Sequence, residues 1–296
     1  MYRTFVILRH TFIESILQPI FPVLLALGTA VLAIFALLPF FTLGEDAVMF
    51  KAVGLDVVLL FVLIITLFAT SKSVFDEIED RTMLTLMSKP VRRWEVLAGK
   101  YLGISAAALL GVAVLGAVLG LCLWLRIPGD YTLKADSLDT EVLRRIADWR
   151  WMHTAGLVAA LVTLWLQISV LAAIGVALST RVSLVVNLPL VILVYVAGNL
   201  TRFLFPVGSG ESPLYTAMAY ALGTLLPYLA VFDLREATVY GKLAMGEFVK
   251  DQRAKALADV WLNVGLAGAY AVAYSLFALL AGLWLFQGRE LGGAEG

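Results

Sequence analysis

The residues that could do chemistry in this 296-residue chain fall into two sets. The first is a dense block, Val74 to Gly103, VFDEIEDRTMLTLMSKPVRRWEVLAGKYLG. It places Asp76, Glu77, Glu79, Asp80, Arg81, Lys89, Arg92, Arg93, Glu95 and Lys100 within twenty-five residues. The second is a scatter of uncharged polar side chains inside long apolar runs: Gln167, Asn187, Asn199 and Asn263. Neither set has the make-up of a catalytic centre. A phosphate loop needs G-x-x-x-x-G-K-[ST], glycines to wrap the phosphates and a hydroxyl to hold Mg. Here Gly99-Lys100 is followed by Tyr101, and Trp94 stands where the first glycine belongs. G-x-S-x-G, H-E-x-x-H and paired carboxylates within a span are absent from the sequence. The single cysteine, Cys122, excludes an internal disulfide and a cysteine zinc site. It lies in an apolar run and is expected as a buried, inert thiol. His10 and His153 are far apart, without metal-like spacing, and are expected at the membrane interface. No catalytic, cofactor or metal residue is therefore expected, and the chemistry left to the block is recognition.

Locally the block reads as helix, proline, helix. Glu77 and Arg81 form an i,i+4 pair with the acid N-terminal, the favourable order; Lys72 and Asp76 pair in the less favourable one. Ile78, Met83, Leu84, Leu86 and Met87 supply apolar surface. Lys89 precedes Pro90 and is pushed out of helical geometry, so the first helix ends there. Val91–Lys100 restarts as the entry to an apolar run, with Trp94 at headgroup level and Lys100 able to snorkel. A solvated loop is the plainer reading of a charge run. An apolar face rimmed by charge is the mark of a docking site, and a bare loop has no need of one.

The elements that must position these residues are membrane helices. The chain is 61% hydrophobic and 15% charged, with mean hydropathy +0.92. Soluble domains carry about 25% charged residues, so the shortfall points to a polytopic membrane protein. Zero net charge gives no sign of nucleic-acid binding. Six runs are long enough for a bilayer core, which takes about 20 residues: 19–41, 53–73, 96–125, 154–180, 182–205 and 260–286. Backbone groups in lipid must be satisfied internally, so the spans are helices and the fold is an all-α membrane protein. No span carries a buried charge well away from its ends, so ion coupling by a proton relay is not expected. Pro189 inside the fifth predicts a kink. Residues 1–18 set Phe5, Leu8, Phe12 and Ile16 on one face of a helix expected to lie in the interface plane. The first apolar run lacks the small-residue pattern of a cleavable signal.

Residues 214–232, LYTAMAYALGTLLPYLAVF, carry Gly223 and Pro227. They form either a seventh span or, as preferred here, two short helices broken at Pro227 that enter and leave on one face. Segments 126–153 and 206–259 are expected outside the membrane. The first has Pro128-Gly129-Asp130 as its turn and an amphipathic helix over Leu138–Ile146 that ends at Trp149 and Trp151. The second has a surface helix within 233–259. Lys72, Arg81, Lys89, Arg92, Arg93 and Lys100 place the block, and with it both termini, in the cytoplasm. For Gln167, Asn187, Asn199 and Asn263, helix-to-helix hydrogen bonding is the plainer reading and a transport pathway the sharper one. A largely apolar pathway suits an amphipathic substrate better than a bare ion.

The sequence Glu77–Gly103 resembles the first cytoplasmic loop of ABC transporter permeases of the second exporter class, at Glu79, Arg81, Thr82, Leu84, Leu86, Pro90, Val91, Arg93, Gly99, Lys100 and Gly103. Met87 stands where that pattern has leucine. The six spans, the N-terminal helix and the ending at Phe286–Leu291 resemble the same family. Among its subfamilies the chain is most similar to stand-alone permeases such as the one accompanying nitrous-oxide reductase maturation. The resemblance implies an N-terminal elbow helix over 1–18, a cytoplasmic coupling loop over 74–95 and a re-entrant helix before span 6. It implies two permease copies in the inner (cytoplasmic) membrane, each docking a separate ATPase through Asp76, Glu77, Glu79, Arg81, Thr82, Leu84, Met87, Lys89, Pro90 and Arg92. ATP and Mg would be held in that partner and no cofactor in this chain. The alternative is a non-transporting subunit that passes ATPase motion to an external protein.

Overall fold

The structure, a computed structural model, describes residues 2–38, 46–73, 92–132, 140–204, 226–235, 238–239 and 250–287. Every long element among them is helical: α1 (Tyr2–Leu17), α2 (Ile20–Leu37), α3 (Asp46–Ser73), α4 (Arg93–Thr132), α5 (Thr140–Leu178), α6 (Leu184–Leu204) and α7 (Lys250–Gln287). A single 3-10 turn, Leu229–Phe232, stands between α6 and α7. Six of these helices, α2 to α7, are long and apolar enough to cross a membrane. The expected helix of the block, ending at Lys89 before Pro90, lies outside the described residues, as do residues 214–225 of the broken segment.

Four helices run past the hydropathy bounds, while α2 and α6 fall a little short of 19–41 and 182–205. α4 runs on to Thr132 through the Pro128-Gly129-Asp130 expected as a turn. α5 begins at Thr140, so the amphipathic stretch and the fourth span form one helix. α7 begins at Lys250 and α3 at Asp46, seven residues before the expected start of the second span. Hydropathy marks only the apolar part of a helix; the hydrogen-bonded ladder continues as long as each new residue can add an i→i−4 bond.

Packing sorts the spans into centre and rim. Of the apolar stretches of α3 and α5, 72% and 67% is buried within the chain, against 17% for α2, 22% for α6 and 28% for α7. α3, α4 and α5 pack on one another, α2 lies against α3 and α4, α6 against α3 and α5, and α7 along α5. Glycines set the closest approaches. Gly116 faces Leu161 and Gly120 faces Leu157, so α4 and α5 are antiparallel. Gly156 faces Lys51 and Gly175 faces Thr70, so α3 and α5 run parallel. The outward faces of α2, α6 and α7 present Val23, Leu27, Ile34, Leu193, Leu266, Leu276 and Trp284, a surface suited to lipid.

α1 lies along the start of α4. A side chain at Gly99 would collide with Ile7, and one at Gly103 with the Leu8 carbonyl and Thr11. Thr11 and Ser15 are buried on that side, while Tyr2, Phe5, Val6, Ile13 and Leu17 are exposed. The exposed apolar face thus points away from α4. Of the expected face, Phe5 is exposed and Leu8, Phe12 and Ile16 are half-buried.

Candidate functional site

Two polar constructions stand out, one at each end of the bundle. At the end where residues 74–91 leave and return, α4 starts with a reciprocal cap: the Arg92 N–H donates to Glu95 Oε2 at 2.9 Å while the Arg92 carbonyl accepts from Glu95 N–H at 2.9 Å. Glu95 satisfies a backbone donor that no turn of helix reaches. The next residue, Arg93, reaches across to the last turn of α7. Its Nη1 donates to the Phe286 carbonyl at 2.7 Å and the Gln287 carbonyl at 3.2 Å, with the guanidinium 5.1 Å from the Phe286 ring centre. Arg181, in the turn after α5, donates through Nε to the Leu285 carbonyl at 2.9 Å. Helix C-termini carry orphan carbonyls and partial negative charge, and two guanidinium groups meet both needs.

The C-terminus of α5 is closed by uncharged side chains. Ser179 Oγ donates to the Val176 carbonyl at 2.8 Å and Thr180 Oγ1 to the Ala177 carbonyl at 2.7 Å. Asn187 Nδ2 donates to the Gly175 carbonyl at 3.1 Å. Asn187 is fully buried there, so its amide serves as a cap tying α6 to α5.

At the opposite end, α3, α5, α6 and the segment 232–235 enclose a cleft open on one side. Gln167 and Asn199 both line it, with Thr163, Tyr195 and Phe232. The structure thereby brings together two of the four polar residues singled out in the sequence. The other two lie elsewhere: Asn187 at the α5 cap and Asn263 exposed on the surface of α7. Asn199 Nδ2 donates to the Tyr195 carbonyl one turn back at 2.9 Å. Over the cleft lies Arg235, whose Nη1 is 2.7 Å from Asp56 Oδ1 and whose Nε is 3.4 Å from Asp233 Oδ1. Outward of the cleft, Lys51 is wholly buried. Its Nζ donates to the Thr238 carbonyl at 2.6 Å and the His153 carbonyl at 3.2 Å. Span 2 thus holds Thr238 through Lys51 and Arg235 through Asp56.

Lys51, Asp56, Asp233 and Arg235 are what the sequence reading missed. With span 2 begun at residue 53, Lys51 counted as loop and Asp56 as a span end. With α3 beginning at Asp46, Asp56 lies about 15 Å into the helix at 1.5 Å per residue. Asp56 is more than half exposed, and the buried Lys51 stands close to the start of the helix. The available signal was Lys51 and Asp56 standing almost alone in an otherwise apolar helix, a pattern that marks functional positions in membranes. Among the described residues no cluster of three His, Cys, Asp or Glu side chains could hold a metal ion.

Residues 12–291 match the family model described as ABC-2 family transporter protein, and the chain belongs to that family. No curated protein matches it. The chain is accordingly the membrane permease of an ABC transporter, a transport component rather than an enzyme in itself.

Proposed function

We propose that this permease is driven by a separate ABC ATPase that docks on residues 76–92, and that two copies of the chain form the membrane pore in the cytoplasmic membrane with both termini inside the cell. ATP and Mg belong to the ATPase. In this reading α1 is the elbow helix, 74–95 the cytoplasmic coupling loop with its coupling helix, and the 3-10 turn after Pro227 the end of a re-entrant segment. The stand-alone arrangement, similar to that of the permease of nitrous-oxide reductase maturation, belongs to the same proposal.

The observation that supports coupling is the Arg93 bridge. Arg93 stands two residues past the docking block's Val91 and is bonded to the final carbonyls of α7. A push on the block therefore reaches spans 3 and 6 together, without relying on the stiffness of one helix end. Long-range coupling of this kind needs a rigid, contiguous path, and charge-assisted bonds to helix termini provide one.

The test is charge reversal on the docking face. With Glu77→Lys and Glu79→Lys together, the ATPase no longer co-purifies with the permease from detergent, while membrane insertion is unchanged. Undiminished co-purification would remove the docking role. In vesicles holding the intact complex, ATP-dependent flux is expected; ATP turnover stimulated by an external protein without flux would replace transport by mechanical transmission.

A further inference from the structure

The cleft holds an amide that the fold leaves unused. Gln167 lines it and is only 8% exposed. Among the described residues no donor or acceptor meets the Gln167 amide, and the little surface it keeps opens on the cleft. A buried amide without partners is costly, so a ligand that meets its needs gains what the fold leaves open. Asn199 stands in the same lining: one amide hydrogen goes to the Tyr195 carbonyl, and its oxygen remains as an acceptor. The two charges of the lining, Asp233 and Arg235, are spent on each other. Asp233 Oδ1 is 3.4 Å from the Arg235 Nε and accepts from the Arg235 backbone N–H at 3.2 Å. They cancel, so a charged head would lose its water here with no counter-charge to offset the loss. The rest of the lining is mostly apolar, with leucines from α3, α5 and the segment 232–235 beside Phe232. The space inside holds about three water molecules, enough for a small head group whose tail leaves by the open side.

We propose that this cleft binds the uncharged hydroxyl head of an amphiphilic alcohol, with its apolar tail along the leucines. The hydroxyl oxygen accepts from the Gln167 amide N–H, and its hydrogen is donated to the Asn199 oxygen. The Asp233–Arg235 pair shapes the wall and adds no net charge. The site rests on the reading of the chain as a permease and names the class of compound it would carry.

Binding is measured on the purified full-length chain alone, in a neutral maltoside detergent, by irradiation with azioctanol, an octanol carrying a photoreactive diazirine. Adducts are mapped by mass spectrometry. Labelling of the lining, read at Leu59, Leu164 and Phe232, should saturate with azioctanol and fall when octanol is added. Octylamine and octanoate, both charged at neutral pH, and chlorooctane, which has no hydrogen to donate, serve as competitors with the same tail. Compared at equal mole fraction in the micelle, each should protect the lining about tenfold less well than octanol, a ratio worth about 1.4 kcal/mol. Gln167→Met removes the amide at nearly constant length. It should bring octanol within about twofold of chlorooctane and leave chlorooctane within about twofold of its wild-type protection. The chlorooctane arm separates loss of the hydrogen bond from loss of the cleft. Labelling of the lining that is absent or does not saturate overturns the proposal, as does any competitor that matches octanol in the wild-type chain. So does a Gln167→Met chain that keeps its preference for octanol. Loss of protection by octanol and chlorooctane together would make Gln167 a support of the fold and likewise overturn its place as the head-group contact. No ATPase is present in this measurement, so its failure leaves the docking proposal standing, and failed docking leaves the binding result standing.

Discussion

Replacing Gly103 by alanine puts a methyl group 2.7 Å from the Leu8 carbonyl oxygen, 2.8 Å from Thr11 Cβ and 3.1 Å from the Phe12 nitrogen. Two of these three neighbours are backbone, so no rotamer change relieves them. Carbon contacts settle near 3.5 Å, so α1 has to move away from α4 by roughly 0.7 Å along its middle turns. Overpacking of this kind costs about 1–3 kcal/mol. Against it stands the helix preference of alanine over glycine, about 0.5–1 kcal/mol. The net expectation is a loss of about 1–2 kcal/mol. Gly265 gives the matched control, because a side chain there meets nothing within 4 Å. Gly265→Ala keeps only the helix preference and should stabilise by about 0.5–1 kcal/mol. The assay is thermal unfolding of both variants in one detergent, followed by tryptophan fluorescence, with the midpoint read against wild type. Gly103→Ala should melt below the wild-type chain and Gly265→Ala at or above it. A Gly103→Ala chain that melts with or above Gly265→Ala would refute the close packing of α1 on α4.

Two further outcomes follow from the polar ends of the bundle. Arg93→Gln removes two charge-assisted bonds from the last turn of α7; at a half-buried site this should cost about 1–3 kcal/mol and raise amide exchange at 284–287, with Arg93→Lys recovering only part because it lacks the fork. Unchanged exchange there would show that the bridge does not hold the helix end. Lys51→Met leaves the Thr238 carbonyl without its ammonium donor but also ends the desolvation of a buried charge, so global stability should shift by only about 1 kcal/mol while amide exchange rises locally at 238–239. Exchange at 238–239 equal to wild type would show that this bond does not fasten the segment.

The number of spans was legible in the sequence because lipid leaves little choice: about 20 apolar residues per crossing, in helix. Helix ends were not. Residues 140–153 of α5 alternate apolar with charged side chains, and an amphipathic stretch continues a helix as readily as it starts one. Gly99 and Gly103 were visible as part of a motif, yet their use, admitting α1 at backbone distance, depends on residues about ninety positions away. The cleft was the least legible part. Its ion pair joins Asp56 to Arg235, and nothing local to either residue announces the other. Gln167 and Asn199 were picked out by being polar in apolar runs, the same criterion that picked out Asn187 and Asn263, and periodicity alone does not say which of the four share a cavity.

The two ends of the bundle are joined by its two most buried helices. α3 and α5 run parallel and touch through Gly156 against Lys51 at one end and Gly175 against Thr70 at the other. The two contacts are nineteen residues apart on both helices, about 28 Å of helix at 1.5 Å per residue. Equal spacing on both strands of the pair means the helices are in register and lack room to slide: the side chains packed at one glycine would have to leave it before the other contact could shift. In the coupling proposed above, a displacement at residues 74–91 is then passed on as tilt of the α3–α5 pair rather than as slippage between them. Tilt of that pair changes the distance from Leu55 on α3 to Asn199 on α6, which face the cleft from two different helices. This makes a specific demand on the intact complex. Gly175→Leu, which fills the contact with Thr70, should lower transport per ATP hydrolysed in the intact complex while ATPase co-purification stays at the wild-type level. A Gly175→Leu complex that transports as much per ATP as wild type would mean that the α3–α5 pair is not the path.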